Sequence, residues 1–121
     1  MRLLVFGGRD YADSRAVFAA LDKLRMTRSI THLIHGGAQG ADTLASRWAD
    51  ECVKQELVFY ADWERYGKAA GPIRNQRMID EGKPDAAVGF PGGRGTKDMA
   101  QRLKNAGIPC WWPIKNSCPI E

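Results

Sequence analysis

The chain has 121 residues, 44% of them hydrophobic and 26% charged, which fits a single globular domain with a core of its own. Its net charge of +4 favours anionic ligands without separating a nucleotide from a nucleic acid. No apolar run approaches the roughly 20 residues of a membrane helix, and the short run after Met1-Arg2 breaks too early for a signal peptide, so a cytoplasmic protein without membrane contact is expected.

In chain order, residues 2–6 read as a first strand, and Ser14 caps a helix to about Met26 that carries Val17, Leu21 and Leu24 at helical spacing. Residues 31–35 form a second strand, and the helix after Gly40 aligns Leu44, Ala45, Trp48, Ala49 and Cys52 on one stripe. A third strand is expected over 57–60, a loop over 62–72, a helix over 73–81 and a fourth strand over 85–90. A last helix over 96–105 ends at a cap glycine, Gly107, before a fifth strand over 108–112 and an irregular tail over 113–121. Short apolar strands alternating with helices define an α/β domain: one Rossmann-like, three-layer unit over 1–121 with a parallel five-stranded sheet of order 3-2-1-4-5. Ligands of such domains bind beyond the carboxyl ends of the strands, where strand order reverses.

Eight of the thirteen glycines fall in three turns at those carboxyl ends, which makes the turns the place to look for a ligand. The first, Gly7-Gly8-Arg9, lacks the GxGxxG spacing of a dinucleotide fingerprint; it is either a tight strand exit or a ligand turn whose Arg9 forks onto a phosphate or carboxylate. The second contains Gly36, Gly37 and Gly40, followed by Asp42 in the first helical turn, where a carboxylate accepts ribose hydroxyls or simply stabilises the helix start. The third is Pro91-Gly92-Gly93-Arg94-Gly95-Thr96, whose amides and Thr96 hydroxyl suit a phosphate; it is not a Walker A loop, because no Gly-Lys-Ser/Thr ending follows.

Between the second and third turns, Trp63 and Tyr66 offer flat faces for a base, Arg74 and Arg77 offer positive charge, and Asn75 offers bonds to sugar or base. Packing over a sheet edge and a solvated basic helix face are the plainer readings of the same residues. Cys52, Cys110 and Cys118 have no metal-ligand spacing, and His32 and His35 fall on opposite strand faces, so neither metal nor cofactor is expected. Trp111 and Trp112 also point to opposite faces, which suits core burial or a homodimer contact equally.

Phe6-Gly7-Gly8-Arg9, the run His35 to Asp42, Trp63 to Asn75 and Pro91 to Thr96 together resemble the SLOG superfamily of Rossmann-like nucleotide-binding domains, in its YspA/YpsA-related branch. The resemblance covers nearly the whole chain and implies a nucleotide-derived ligand, with a bacterial or phage origin. It places ligand and phosphate contacts at Gly7, Gly8, Arg9, Gly36, Gly37, Gly40, Asp42, Trp63, Tyr66, Arg74, Asn75, Gly92, Gly93, Gly95 and Thr96. The lonely-guy phosphoribohydrolases of the same superfamily carry PGGxGTxxE and a catalytic arginine on the preceding helix. Arg74 corresponds to that arginine if two extra residues are allowed before Asp85, but Met99 stands where the glutamate belongs.

Three functions follow in order: a sensor or ligand-binding domain for a nucleoside phosphate or ADP-ribose type molecule; a nucleotide N-glycosidase using Arg74 and Asp42; and a single-stranded nucleic-acid binder. The glycosidase needs a substitute carboxylate from Asp42, Asp62, Glu64 or Asp98. The nucleic-acid reading ranks last because no arginine-rich run or repeated aromatic platform is present.

Overall fold

The computed structural model describes residues 1–53 and 55–120. Five strands, β1 (Arg2–Phe6), β2 (His32–His35), β3 (Gln55–Val58), β4 (Ala86–Gly89) and β5 (Cys110–Trp111), form one sheet of order β3-β2-β1-β4-β5 in which every pair is parallel. The expected strand order is the observed one. Parallel neighbours require crossovers, supplied by α1 (Ser14–Thr27), α2 (Ala41–Cys52), α4 (Ala70–Asp80) and α5 (Arg94–Asn105), with a single-turn helix α3 (Trp63–Tyr66) ahead of α4.

Alternation along β1 divides the core into two layers. Leu3 and Val5 face α1 and α2 with Val17, Leu21, Ala45 and Trp48, whereas Leu4 and Phe6 face α4 and α5 with Met78, Met99 and Leu103. Trp111 and Trp112 follow the same rule. Trp111 joins the first layer and Trp112 the second, edge-on to Phe6 with centroids 5.4 Å apart. Gly89 makes room for that ring, since a Cβ there would lie 2.5 Å from it. Past α5, Gly107 takes φ +72°, and the bonds Gly107 N–H to Lys104 O and Ile108 N–H to Leu103 O form a Schellman closure, as expected of that glycine.

Several boundaries differ from the sequence reading. The α1 cap is Asp13, whose Oδ1 accepts from Ala16 N–H at 3.0 Å, so Ser14 is the first helical residue rather than the cap. The third strand lies two residues earlier than 57–60, because β2 offers partners only as far as His35, opposite Val58. Tyr60, 70% exposed, lies beyond the pairing. The expected loop over 62–72 is helical in large part: Asp62 caps α3, and α4 starts at Ala70, with Pro72 in its first turn, where a missing N–H costs nothing. The last helix begins at Arg94 rather than 96, and β5 is two residues long because β4 pairs with it only through Ala87 and Val88.

Candidate functional site

Strand order reverses between β1 and β4, and the three glycine turns meet there. Gly8 N–H donates to Pro91 O at 2.9 Å, and Ala41 N–H donates to Gly8 O at 3.3 Å, so the turn after β1 is stitched to both others. The approach is close enough to demand glycine. A Cβ on Gly40 would fall 2.1 Å from Gly8 O, one on Gly92 2.6 Å from Gly8 N, and one on Gly8 2.7 Å from Pro91 O. Gly93 and Gly95 are different: a Cβ on either meets nothing within 4 Å.

A cleft of about 590 Å³ opens over this junction. Its floor is Phe6, Met78 and Met99, and its walls carry Arg9, Lys68, Arg74 and Arg94 against Asp10, Asp42 and Asp98. Of the residues singled out in the sequence, Gly7, Gly8, Arg9, Asp42, Trp63, Arg74, Asn75, Gly93, Gly95 and Thr96 line it. Gly36, Gly37, Gly40 and Gly92 shape the turns behind its wall, and Tyr66 lines a separate hollow of about 270 Å³.

At one end of the cleft stands the head of α5. Gly93 caps it without a side-chain bond, and the first intrahelical bond runs from Lys97 N–H to Gly93 O, so the amides of Arg94, Gly95 and Thr96 have no partner within the helix. Such amides, with the helix field behind them, favour an anion.

Arg74 reaches the cleft from α4. Its Nη1 donates to Gly36 O at 2.8 Å and its Nε to Asn75 Oδ1 at 3.0 Å. Burial lowers the pKa of this guanidinium, Asp42 opposes the drop and Arg9 adds to it; the group still carries its charge at neutral pH. Asp42 holds the turn after β2 together, its Oδ2 accepting from Gly36 N–H at 3.1 Å and Ala38 N–H at 3.2 Å. Burial raises its pKa, partly countered by those amides and by the nearby His35 ring and Arg74 guanidinium. Those amides belong to the turn ahead of α2 rather than to the helix start, and only Oδ1 is left outside the amide bonds.

His35 braces the same turn from below: Nδ1 accepts from Gly37 N–H at 3.0 Å, which leaves Nε2–H to donate to the Glu56 carboxylate on β3. Its buried ring thus ties the turn to the sheet edge, whereas half-buried His32 bonds Thr31.

Asn75 is buried and its amide is committed. Nδ2 donates to Asp98 Oδ2 at 3.0 Å and to Gly95 O at 3.3 Å, and Arg102 Nε donates to the same Asp98 oxygen at 2.8 Å. A chain of bonds therefore links Arg74 to Asp98 through Asn75, fixing both beside the cleft. Met99 packs in the α4–α5 layer, as its spacing with Leu103 implies. Trp63, 48% exposed, stands at the rim with the Arg9 guanidinium over its ring at 5.2 Å.

Sequence reading passed over Asp10, Ala38, Lys68, Gly71, Pro72 and Met78 as lining residues, and of Arg94 it used only the amide. A signal existed for three of them: once the helix begins at Ala70, Gly71, Asn75 and Met78 share a face at steps of four and three, and Pro72 lies beside them.

A doubly wound α/β domain with its strand order reversing at the cleft is of the Rossmann-like type. The chain belongs to the YspA, cpYpsA-related SLOG family (YAcAr), whose family model matches residues 1–66. It is also 38% identical over 116 residues to the Gene 61 protein of Mycobacterium phage D29, covering 89% of this chain and 92% of that protein. No solved structure matches it. Family membership makes this a nucleotide-ligand-related domain with a phage-encoded relative, and no helix among the described residues is long and apolar enough to cross a membrane.

Proposed function

We propose that the cleft binds a phosphorylated, nucleotide-derived small molecule, as a sensor or ligand-binding domain. The observation that carries this reading is the pairing of three amides at the head of α5, without a hydrogen-bond partner among the described residues, with Arg74 on the same cleft. Phosphate sits on the amides of Arg94 to Thr96, Arg9 and Arg74 balance its charge, and a base lies against Trp63. Arg74 suits that task because its Nη2 makes no hydrogen bond among the described residues, so a ligand oxygen completes it.

Calorimetry with AMP and adenosine tests it. AMP is expected to bind and adenosine at least tenfold more weakly, with Arg74→Ala reducing AMP affinity by about 10- to 100-fold, the range of a charge-assisted bond. Equal binding of AMP and adenosine would remove the phosphate role.

Asp98 favours a second reading, N-glycoside hydrolysis. Of the four carboxylates considered, only Asp42 and Asp98 line the cleft; each spends Oδ2 on two donors, but Asp42 is buried whereas Asp98 is half-buried. Asp98 is the better placed to stabilise positive charge at the anomeric carbon as water adds there and the base departs with a proton. Under this reading the wild-type protein frees base from a nucleoside 5′-monophosphate, as mass spectrometry would detect, and Asp98→Asn lowers the rate by about 100-fold or more. Retention of intact nucleotide at high protein concentration returns the cleft to binding alone.

A further inference from the structure

The second hollow meets the main cleft at Arg74. Arg74 lines both, and Tyr60, Tyr66 and Ile73 line the outer one with Asp62, Arg65 and Arg77. Those three apolar side chains are half of the six large exposed hydrophobics among the described residues, so exposed apolar surface is concentrated here rather than scattered. Tyr60 and Tyr66 are 70% and 39% exposed. Arg65 stacks on one face of the Tyr66 ring at 5.1 Å. Tyr60 is anchored at its base over Gly37, where φ +66° and the absence of a Cβ let the ring approach; a Cβ there would stand 2.4 Å from Cε1.

Two aromatic stations, Trp63 in the cleft and the tyrosine pair in the hollow, therefore flank one arginine. We infer that the protein takes a two-headed ligand, two nucleosides joined through phosphate, with the bridging phosphate at Arg74 and the second base against Tyr60 and Tyr66. This rests on the proposed phosphate-binding reading and specifies its ligand. Chemistry in the hollow agrees with a neutral base next to an anionic linker. Three arginines face one aspartate: Arg77 is paired with Glu81 at 2.7 Å and the Arg65 guanidinium lies over the Tyr66 ring, so Arg74, which the hollow shares with the cleft, is the charge placed to meet the linker.

The test compares ADP-ribose with diadenosine diphosphate, which differ by the second base. The intact protein is expected to bind diadenosine diphosphate about tenfold more tightly, the contribution of one stacked base. Tyr60→Ala and Tyr66→Ala should each remove most of that advantage and leave ADP-ribose affinity unchanged, while Tyr60→Phe, which keeps the ring, should retain it. Equal affinities of the two ligands in the wild type would overturn the second station, as would tyrosine variants that weaken both ligands alike. Concentration-dependent dimerisation abolished by Tyr60→Ala would overturn it in favour of a contact with a second copy. Binding of neither ligand would contradict the phosphate reading itself, a result distinct from binding both equally.

Discussion

Gly95→Asp is expected to lower AMP affinity by about a thousandfold while leaving the fold intact. A carboxylate placed about 4 Å from the bound phosphate costs about 4 kcal/mol at an effective dielectric of about 20, which is roughly three decades of affinity. Unfolding cannot account for such a loss. Gly95 lies in the first turn of α5, a Cβ there meets nothing within 4 Å, and an acidic side chain at a helix start is favourable. Gly95→Ala is the matching control: it keeps the amide and adds no charge, so AMP affinity should stay within about threefold and stability should rise slightly. Calorimetry on both variants, with thermal melts alongside, reads the two quantities separately. AMP affinity unchanged in Gly95→Asp would move the phosphate away from α5.

Gly40→Ala should be among the most destabilising single changes in the protein, at about 3–5 kcal/mol, from two costs that add. The residue sits at φ +78°, ψ −128°, a backbone state that side chains disfavour, and its Cβ would come within 2.1 Å of Gly8 O and 2.6 Å of Arg9 O. Neither oxygen can yield without pulling the turn after β1 off α2, because Gly8 O already accepts from Ala41 N–H. Gly107→Ala separates the two costs. It has a similar φ of +72° but open space around it, so only the conformational cost of about 1 kcal/mol remains. Melting temperatures should therefore fall by roughly 10–20 °C for Gly40→Ala and by only a few degrees for Gly107→Ala, given the usual few degrees per kcal/mol in a domain of this size. Equal shifts would mean that the interlocked turns contribute nothing beyond their dihedral angles.

These two glycines show which parts of the molecule the sequence could disclose. Alternation of apolar strands with helical stripes gave the sheet and its order, because burial on both faces leaves parallel strands few other arrangements. Turn positions were equally legible. What each glycine does was not: Gly40 and Gly92 serve the approach of one turn to another, and Gly93 and Gly95 open onto the cleft, a distinction made by atoms distant in the chain. Asn75 illustrates the same limit. Its residue type suggested a ligand contact, but the neighbours that claim its amide, Gly95 and Asp98, lie on another helix. Trp63 and Tyr66, close in sequence, were grouped as one base site, yet a single helical turn sends them to different hollows. Helix starts were missed where polar or glycine-rich residues form the first turn, as at Ala70 and Arg94, because no apolar periodicity marks them.

Nitrogen–proton correlation NMR of the protein titrated with AMP, beside an adenosine titration, reports directly on the head of α5. The amides of Arg94, Gly95 and Thr96 should shift saturably with AMP and stay in place with adenosine, because the phosphate alone engages them. AMP saturation that leaves those three amides unmoved, or adenosine shifting them equally, would contradict a phosphate site at this helix and with it the function proposed for the cleft.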